Sequence, residues 1–443
     1  MTGLARRLRL VDYFTLGFGS MVGVGWLVLM DDWLSRGGPA GATLAFAIGG
    51  VALLPVGYVY GRLISLRPDA AGEVAYTAAV FPRAASYWTG WMMLLAYAIV
   101  CPWEAVAIGR VAAFIFPALD SGELYRVAGS PVHMAHVTLG LALTATLALL
   151  NYRGIRQSAT FQNVTTFGLL LLFAVFGAAG VAGGSARNIA PLWSHTPGVS
   201  VLLVLQIVPY FFTGFESTAK ASEEAHAEFP ARHHFYAPLM AITAAIVFYC
   251  GVIGVVAWAQ PWKSVAGANF PTAVAIERAV GSRWVVNVIL AAALLSLLKV
   301  FNGNFVAATR LLFAMARRGL VHGAFAAVHP RFQTPSTAIV VIGGVTALAS
   351  FFGSQLLVFI TEVGSFAAGF GWMMACAAYY AMRPAGMDRA LAVAGALVGA
   401  SLMIMKITPA VPGHFTRWEF LALGVWLALG AAMYRGAEPL EAA

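Results

Sequence analysis

Four ionisable residues lie inside long apolar stretches of the sequence, where a charged side chain is difficult to accommodate. They are Glu104, Glu216, Lys299 and Glu362. A charge at the centre of a lipid bilayer costs at least about 2.5–3.5 kcal/mol on insertion scales, so each residue needs a partner or a function. The chemistry available to them is ion pairing, ligand binding or proton transfer.

Two of these charges lie on polar faces of predicted helices. Residues three or four apart share one face of a helix. The face that carries Lys299 contains Ser296, Lys299 and Asn302, and the face that carries Glu104 contains Tyr97, Cys101, Glu104 and Ile108. One interpretation is a structural Glu104–Lys299 ion pair between two helices. The other, which we favour, is that one or both residues line a substrate or proton path. For Glu362 the two interpretations are balanced.

Two of the apolar stretches are interrupted in the middle. The first contains glycines at 17, 19, 23 and 25, and the sixth contains Pro209, Gly214 and Glu216. A broken helix exposes unpaired N–H and C=O groups, which lipid cannot satisfy. An α-amino acid offers a carboxylate for the amides and an ammonium for the carbonyls. The alternative is that Gly19 and Gly23 form a helix-packing motif. The equivalent second break favours a binding site between inverted repeats, with Glu216 accepting from amides at its break.

The composition defines the surroundings of these residues. Of 443 residues, 60% are hydrophobic and 10% are charged, with a mean hydropathy of +0.80. Soluble proteins are about 45–50% apolar and about 25% charged, so a soluble enzyme, a disordered chain and a fibrous repeat are excluded. The apolar runs are too long and continuous for barrel strands. We predict an all-α polytopic membrane protein.

Charged, proline and glycine clusters divide the chain into twelve predicted spans, an even number that places both termini on one side. The 27 Lys and Arg residues favour the side of the N-terminus roughly two to one. This bias predicts cytoplasmic termini in the inner, cytoplasmic membrane, and it explains the net charge of +9 without nucleic acid binding. The predicted spans are 12–34, 40–66, 85–117, 134–151, 158–183, 199–221, 236–259, 282–316, 337–353, 355–382, 388–407 and 416–434.

Motifs for other chemistry are weak or missing in the sequence. His133 and His136 have too few converging partners for a metal site, and the sequence contains neither a phosphate-binding loop nor a nucleophile elbow. We therefore predict no cofactor, no metal and no enzymatic activity.

Five short motifs occur in an order that is known from one superfamily. Residues 19–25 read G-S-M-V-G-V-G, and 211–216 read F-F-T-G-F-E followed by S-E-E at 222–224. The other three motifs lie at 68–76, 151–154 and 310–319. In these motifs the sequence resembles the amino acid–polyamine–organocation (APC) transporter superfamily, most clearly through about residue 382.

The resemblance implies two inverted five-helix repeats at 1–183 and 184–382, with broken helices 1 and 6 and with peripheral helices at 383–443. It implies secondary transport by alternating access. Backbone amides around Gly23, Val24 and Gly25 would bind the substrate carboxylate. Carbonyls near Met21, Tyr210 and Thr213 would bind its ammonium, and Gly214 is a further predicted substrate-binding residue. The side-chain end of the pocket would be lined by Cys101 and Glu104.

The sequence departs from the family at two positions that affect coupling and binding. Val24 replaces a small or hydroxylated residue. Lys299 lies in helix eight, which contributes to the sodium site of related transporters. We hypothesise that its ammonium replaces sodium, so transport would be driven by protons or exchange. An α-amino acid is the favoured substrate; a polyamine or another organic amine, a channel and a transporter-like sensor are the alternatives. The oligomeric state is left open.

Overall fold

The computed structural model of the chain describes residues 6–23, 25–127, 130–226, 230–265, 272, 281 and 283–434. Helices dominate because a helix satisfies its backbone polar groups within one segment, as lipid requires. In chain order they are α1 (Leu10–Met21), α2 (Gly25–Val28), α3 (Met30–Leu66), α4 (Glu73–Ala78), α5 (Arg83–Ala98), α6 (Val100–Ile115), α7 (Met134–Arg153), α8 (Ile155–Gly183), α9 (Pro197–Leu205), α10 (Val208–Phe212), α11 (Ser217–Lys220), α12 (Ala231–Ala259), α13 (Trp262–Val265), α14 (Arg283–Arg317), α15 (Ser336–Ala349), α16 (Gly353–Ala381), α17 (Gly386–Ile407) and α18 (Arg417–Met433). Short 3-10 helices span Pro117–Asp120, Ala186–Ile189, Ser222–Glu224, Gly323–Ala326 and Ser350–Phe352.

Several of these helices have the length and composition of membrane spans. Within the described part of the chain, seven helices pass both criteria. The bent pair Pro197–Leu205 and Val208–Lys220, with an angle of 49° between its halves, makes eight if it is one span. The chain is therefore a multi-pass α-helical membrane protein. The number of twelve crossings stays a prediction.

The helices are interrupted where the sequence pattern predicts it. α1 ends at Met21 and α2 begins at Gly25; further along, α10 ends at Phe212 and α11 begins at Ser217. A third irregularity occurs at Gly38, where φ is 64° and the long helix α3 kinks between the predicted spans 12–34 and 40–66. Glycine adopts this conformation without steric strain.

A two-stranded antiparallel hairpin is the β-structure found in the described residues, and the all-α prediction missed it. Its strands are β1 (Glu123–Val127) and β2 (Ser130–His133). The Tyr125 hydroxyl donates to the Phe351 carbonyl at 2.6 Å. The hairpin belongs to a short polar connector, whose sequence offers little hydrophobic alternation to identify strands. We call this end of the bundle the hairpin side.

The two described ends of the chain lie together at the opposite end, here called the terminal side. Leu8 pairs with Ala225, and the Tyr434 ring packs on Tyr87 with 4.6 Å between ring centroids. Arg83, near Tyr87, donates to the Gly319 carbonyl at 2.7 Å. These contacts join the start of the chain, its end and the C-terminal end of α14.

Four ion pairs cross-link the terminal side and are called the terminal-side ion pairs. They are Glu73–Lys220, Glu224–Arg310, Glu223–Arg317 and Asp69–Arg318. The side chains of the first two pairs are fully buried. Burial raises the pKa of the Glu224 carboxyl group, and the Arg310 guanidinium opposes that shift. Lys220 and Arg310 fall in the last third of the predicted spans 199–221 and 282–316, and their buried pairs with Glu73 and Glu224 were not predicted.

The Glu73–Lys220 pair should be needed for stability. A Lys220→Met substitution leaves the Glu73 carboxylate buried without its cation, which typically costs about 3–5 kcal/mol. We expect a clearly lower unfolding temperature in detergent. The control is Arg126→Gln, which breaks an exposed pair with Glu123 (61% and 39% exposed side chains) and should cost less than about 1 kcal/mol. Equal unfolding temperatures for Lys220→Met and the native protein would contradict this expectation.

Candidate functional site

A small cavity lies where the two interrupted helices face each other. Its free volume is about 20 Å³, roughly the space of one water molecule. Its walls also include Ser20, Trp103 and Phe211, which the sequence analysis did not select. Six of the predicted binding residues line it: Met21, Gly23, Gly25, Glu104, Tyr210 and Thr213. The structure thus brings together residues from four helices (α1, α2, α6 and α10) and from both interruptions.

Glu104 and Phe211 cover the interruption between α1 and α2, which is called the interruption in α1. Glu104 Oε1 is 2.6 Å from the position that a Cβ atom on Gly23 would occupy. The Phe211 ring carbon Cε1 is 2.4 Å from the corresponding position on Gly25. A Cβ atom at either position would overlap these groups, so the Glu104 and Phe211 side chains would have to move to accept it. A carboxylate and an aromatic ring therefore lie directly on the segment that was predicted to bind a substrate carboxylate.

Lys299 lies at the carbonyl end of the same interruption. Its Nζ donates to the Gly19 carbonyl at 3.3 Å and to the Val22 carbonyl. The side chain is fully buried, and Nζ is 5.4 Å from the centroid of the Phe18 ring. These carbonyls belong to the last turn of α1 and the residue after it, where intrahelical donors run out. The lysine ammonium supplies the donors that the broken helix lacks.

Neighbours of Lys299 on α14 also donate hydrogen bonds to carbonyls at the end of α1. Ser296 Oγ lies 2.9 Å from the Val22 carbonyl and 2.7 Å from that of Gly23, and Asn304 Nδ2 donates to the Ser20 carbonyl at 2.9 Å. One face of α14 therefore satisfies the end of α1 with hydroxyl, amide and ammonium donors.

Asn302, the third member of the predicted polar stripe, has a different role. It accepts from Asn151 Nδ2 at 2.9 Å and from the Ser158 hydroxyl at 3.0 Å. Its own Nδ2 donates to Gln162 Oε1 at 2.9 Å. Asn302 thus links α14 to α7 and α8 in a buried amide network.

Tyr249 on α12 connects the two interruptions. Its hydroxyl is 2.8 Å from the Met21 carbonyl and 3.3 Å from the Phe211 carbonyl. Sequence reasoning missed this residue, although a tyrosine inside a long apolar helix is a usable signal, because its hydroxyl needs a buried partner. The Met21 carbonyl, predicted to bind a substrate ammonium, accepts from Tyr249 in this conformation.

The second interruption is held by its own side chains and by contact with α1. Glu216 Oε2 accepts from the Gly214 amide at 3.1 Å, and the Thr213 hydroxyl donates to the Pro209 carbonyl at 2.9 Å. Gly214 has φ of 129°, and a Cβ atom there would lie 2.7 Å from the carbonyl carbon of Ser20. Gly214 therefore lies where the two breaks contact each other. The Glu216 carboxylate accepts a hydrogen bond from a backbone amide of its own break.

Glu362 lies in a different place, on the wall of a larger cavity of about 360 Å³. This cavity, here called the vestibule, also includes Asp31, Arg36 and Arg110. Glu362 forms an ion pair with Lys406 of α17. Lys406 is at the end of the predicted span 388–407, and its pairing with Glu362 was not predicted.

Three aromatic side chains stand between the vestibule and the small cavity at the two breaks, here called the central cavity. Trp103, Tyr210 and Phe211 line both spaces. Tyr210 and Phe211 contact each other edge to face, with ring centroids 5.2 Å apart. Movement of these rings would connect the two cavities.

Three predicted binding residues are not placed on the cavity wall, and the first is Gly214, which lies in the contact between the two breaks. Cys101 is fully buried, and its Sγ lies 4.0 Å from the Phe301 carbonyl at the contact between α6 and α14. Val24 falls outside the described residues.

Comparisons with known proteins agree with this architecture. The amino acid permease family model matches residues 8–429. The branched-chain amino acid permease BcaP of Bacillus subtilis (strain 168) is 25% identical, over 97% of this chain and 92% of its own length. The methylthioribose transporter of the same organism is 26% identical over 82% and 79%. The aromatic amino acid transport protein AroP of Escherichia coli O157:H7 is 23% identical over 75% and 71%. The chain belongs to the amino acid permease family of the APC superfamily, whose members are membrane transporters.

Proposed function

We propose that the protein is a secondary active transporter that moves an amino acid across the cytoplasmic membrane by alternating access. The observation that carries this proposal is the position of the central cavity between the two helix breaks. The terminal-side ion pairs close the bundle on one side of it, and three aromatic rings separate it from the vestibule on the other. A carrier needs a site of this kind, which gates expose to one side at a time.

The proposed topology has twelve crossings and cytoplasmic termini. Its core is two inverted repeats at 1–183 and 184–382, followed by peripheral helices at 383–443. Two features support this arrangement. The interruptions in α1–α2 and α10–α11 meet at one cavity, and corresponding broken helices in two halves are typical of inverted repeats. The excess of Lys and Arg on the terminal side agrees with a cytoplasmic location.

In the proposed binding mode, the backbone around Gly23, Val24 and Gly25 receives the substrate carboxylate, and carbonyls near Met21 and Tyr210 receive its ammonium. The cavity holds about one water molecule in this conformation, so substrate entry requires an expansion. Phe211 must leave Gly25, and Tyr249 must release the Met21 carbonyl. Relatives named for branched-chain and aromatic amino acids support the substrate class.

Lys299 is the proposed substitute for a coupling sodium ion. Unwound backbone carbonyls are typical ligands of coupling ions in transporters with broken helices. The Lys299 ammonium donates to two such carbonyls, those of Gly19 and Val22. Because this ammonium is covalently part of the protein, a bound sodium ion would not be needed at this point. Transport would then be independent of sodium and driven by protons or by exchange.

A polyamine or another organic amine is the second candidate substrate, and the position of Glu104 favours it. The carboxylate of Glu104 lies against Gly23, where a substrate carboxylate would otherwise bind. A protein carboxylate at this point would repel a second one and attract a cation. A channel fits less well, because the central cavity has a free volume of only about 20 Å³ and the described residues show no continuous pore through it. A transporter-like sensor would bind ligand without flux.

A ligand screen followed by counterflow tests this proposal. We expect one or more α-amino acids to raise the unfolding temperature of the detergent-purified protein equally in sodium and choline buffers, since ligands stabilise the state that they bind. In proteoliposomes, the same compound should show saturable uptake and counterflow. Stabilisation by amines alone would favour the second candidate. Non-saturable flux would indicate a channel, and binding without counterflow would indicate a sensor.

Lys299→Ala tests the proposed substitute for sodium. We expect native uptake to be unchanged when choline replaces sodium. The variant should lose at least about tenfold in uptake, because a charge-assisted hydrogen-bond donor is typically worth about 1.5–3 kcal/mol. Lys263→Ala is the matched control, since Lys263 is exposed and contacts the Trp262 ring. Sodium-dependent native uptake would refute the hypothesis, and normal transport by Lys299→Ala would make the lysine a structural residue.

Tyr249→Phe tests the link between the two interruptions. The change removes the hydroxyl that contacts the Met21 and Phe211 carbonyls. The Met21 carbonyl keeps the Gly23 amide as a donor at 3.2 Å, so the loss should cost about 0.5–1.5 kcal/mol. We expect a lower unfolding temperature and a changed substrate affinity in binding titrations. Tyr236→Phe on the same helix, where the side chain is 49% exposed, should change neither. Identical behaviour of the two variants would argue against the bridging role.

A further inference from the structure

A polar cavity that the transport proposal does not use lies on the terminal side. It has a volume of about 420 Å³ and lies between the segment before α1 and the beginning of α8. The basic residues at its wall are Arg6, Arg7, Arg9 and His226. Three guanidinium groups provide a permanent positive charge, and their planar donor sets match the oxygens of a phosphate group. The chemistry of this wall is that of a phosphate-binding site.

The carboxylate of Asp12, which also lines this cavity, accepts hydrogen bonds from groups of the protein. Asp12 Oδ2 accepts from the Arg9 amide at 2.7 Å, and Oδ1 accepts from Asn163 Nδ2 at 2.6 Å. These bonds fix the beginning of α1 against α8. The arginine side chains themselves are exposed. The wall therefore keeps a net positive charge that is available to an external anion.

A lipid-facing stripe of α8 begins at the same cavity. Thr160 lies on the cavity wall, and Val164, Phe167 and Leu171 follow on the same helical face at spacings of four, three and four residues. These three apolar side chains are 66%, 45% and 67% exposed. In a membrane-spanning helix such a stripe contacts acyl chains. A phospholipid would use both surfaces, whereas a free phosphate ion would use only the basic wall.

We propose that this cavity binds the headgroup of an anionic phospholipid. Its phosphate contacts the side chains of Arg6, Arg7 and Arg9, and its acyl chains lie along the stripe of Val164, Phe167 and Leu171. Clusters of basic residues at the cytoplasmic end of a span typically attract anionic lipids. The proposal needs no assumption about the transported substrate.

The bound lipid would also stabilise the closed terminal side. The backbone amides of Arg7 and Leu8 donate to the Glu224 carbonyl at 2.8 and 2.9 Å, and the His226 amide donates to the Leu8 carbonyl at 2.9 Å. Glu224 in turn pairs with Arg310, one of the terminal-side ion pairs. A lipid that holds residues 6–9 in place therefore supports the segment that carries this ion pair.

Direct lipid titration of the full-length protein tests the proposal. Binding to the detergent-purified protein is measured by native mass spectrometry for phosphatidylglycerol and for phosphatidylethanolamine with the same acyl chains, and the unfolding temperature is followed in parallel. We expect phosphatidylglycerol to bind at least about tenfold more tightly and to raise the unfolding temperature. Inorganic phosphate at equal concentration should not reproduce this rise.

Charge-matched variants identify the site. Replacing Arg6, Arg7 and Arg9 together by glutamine should abolish the preference for phosphatidylglycerol. The control replaces three other exposed arginines of the terminal side by glutamine and should keep it: Arg67, Arg331 and Arg389. If the triple variant does not fold, Arg6→Gln alone should weaken binding about threefold. Equal affinity for both lipids, an unchanged preference in the folded variant, or the same rise with inorganic phosphate would overturn the proposal.

Discussion

The structure depends on the need to satisfy backbone polar groups at two helix interruptions inside the membrane. Each interruption releases carbonyls and amides that have no lipid partner, and water is largely excluded from a cavity of about 20 Å³. Donors therefore come from other helices. Lys299, Ser296 and Asn304 reach the end of α1 from α14, and Tyr249 reaches both interruptions from α12. The packing of these two long helices against α1 follows from this requirement.

The same requirement explains why buried charges concentrate on the terminal side. The segment after the second interruption is short, since α11 has four residues, so it cannot be stabilised by its own helical hydrogen bonds. Lys220 and Glu224 anchor this segment to Glu73 and Arg310 through fully buried pairs. Loss of one partner leaves a buried charge unpaired and strongly destabilises the protein, so the intact pairs hold the segment in one position.

Sequence reasoning predicted the features that a single stretch of residues encodes. The glycines from Gly17 to Gly25 and the run from Pro209 to Glu216 indicated both interruptions, and an isolated charge in an apolar run identified Lys299. Pairings between distant stretches were missed. Lys220 and Lys406 lie at the ends of the predicted spans 199–221 and 388–407, and neither stretch points to Glu73 or Glu362, which folding brings beside them. Tyr249 was missed for the same reason, because the carbonyls that it contacts are more than thirty residues away in the chain.

The donors at the interruptions differ in how easily a ligand could replace them. The Tyr249 hydroxyl is neutral, and exchanging one neutral hydrogen bond for another changes the free energy by about 0.5–1.5 kcal/mol or less. A substrate ammonium would make a stronger, charge-assisted hydrogen bond to the Met21 carbonyl, so it would displace the Tyr249 hydroxyl. Lys299 is different, because displacing its ammonium leaves a buried charge without its carbonyl partners. In the proposed mechanism, a substrate that enters the cavity would therefore compete with Tyr249 and leave Lys299 in place, so substrate binding and coupling would use different donors at the same break.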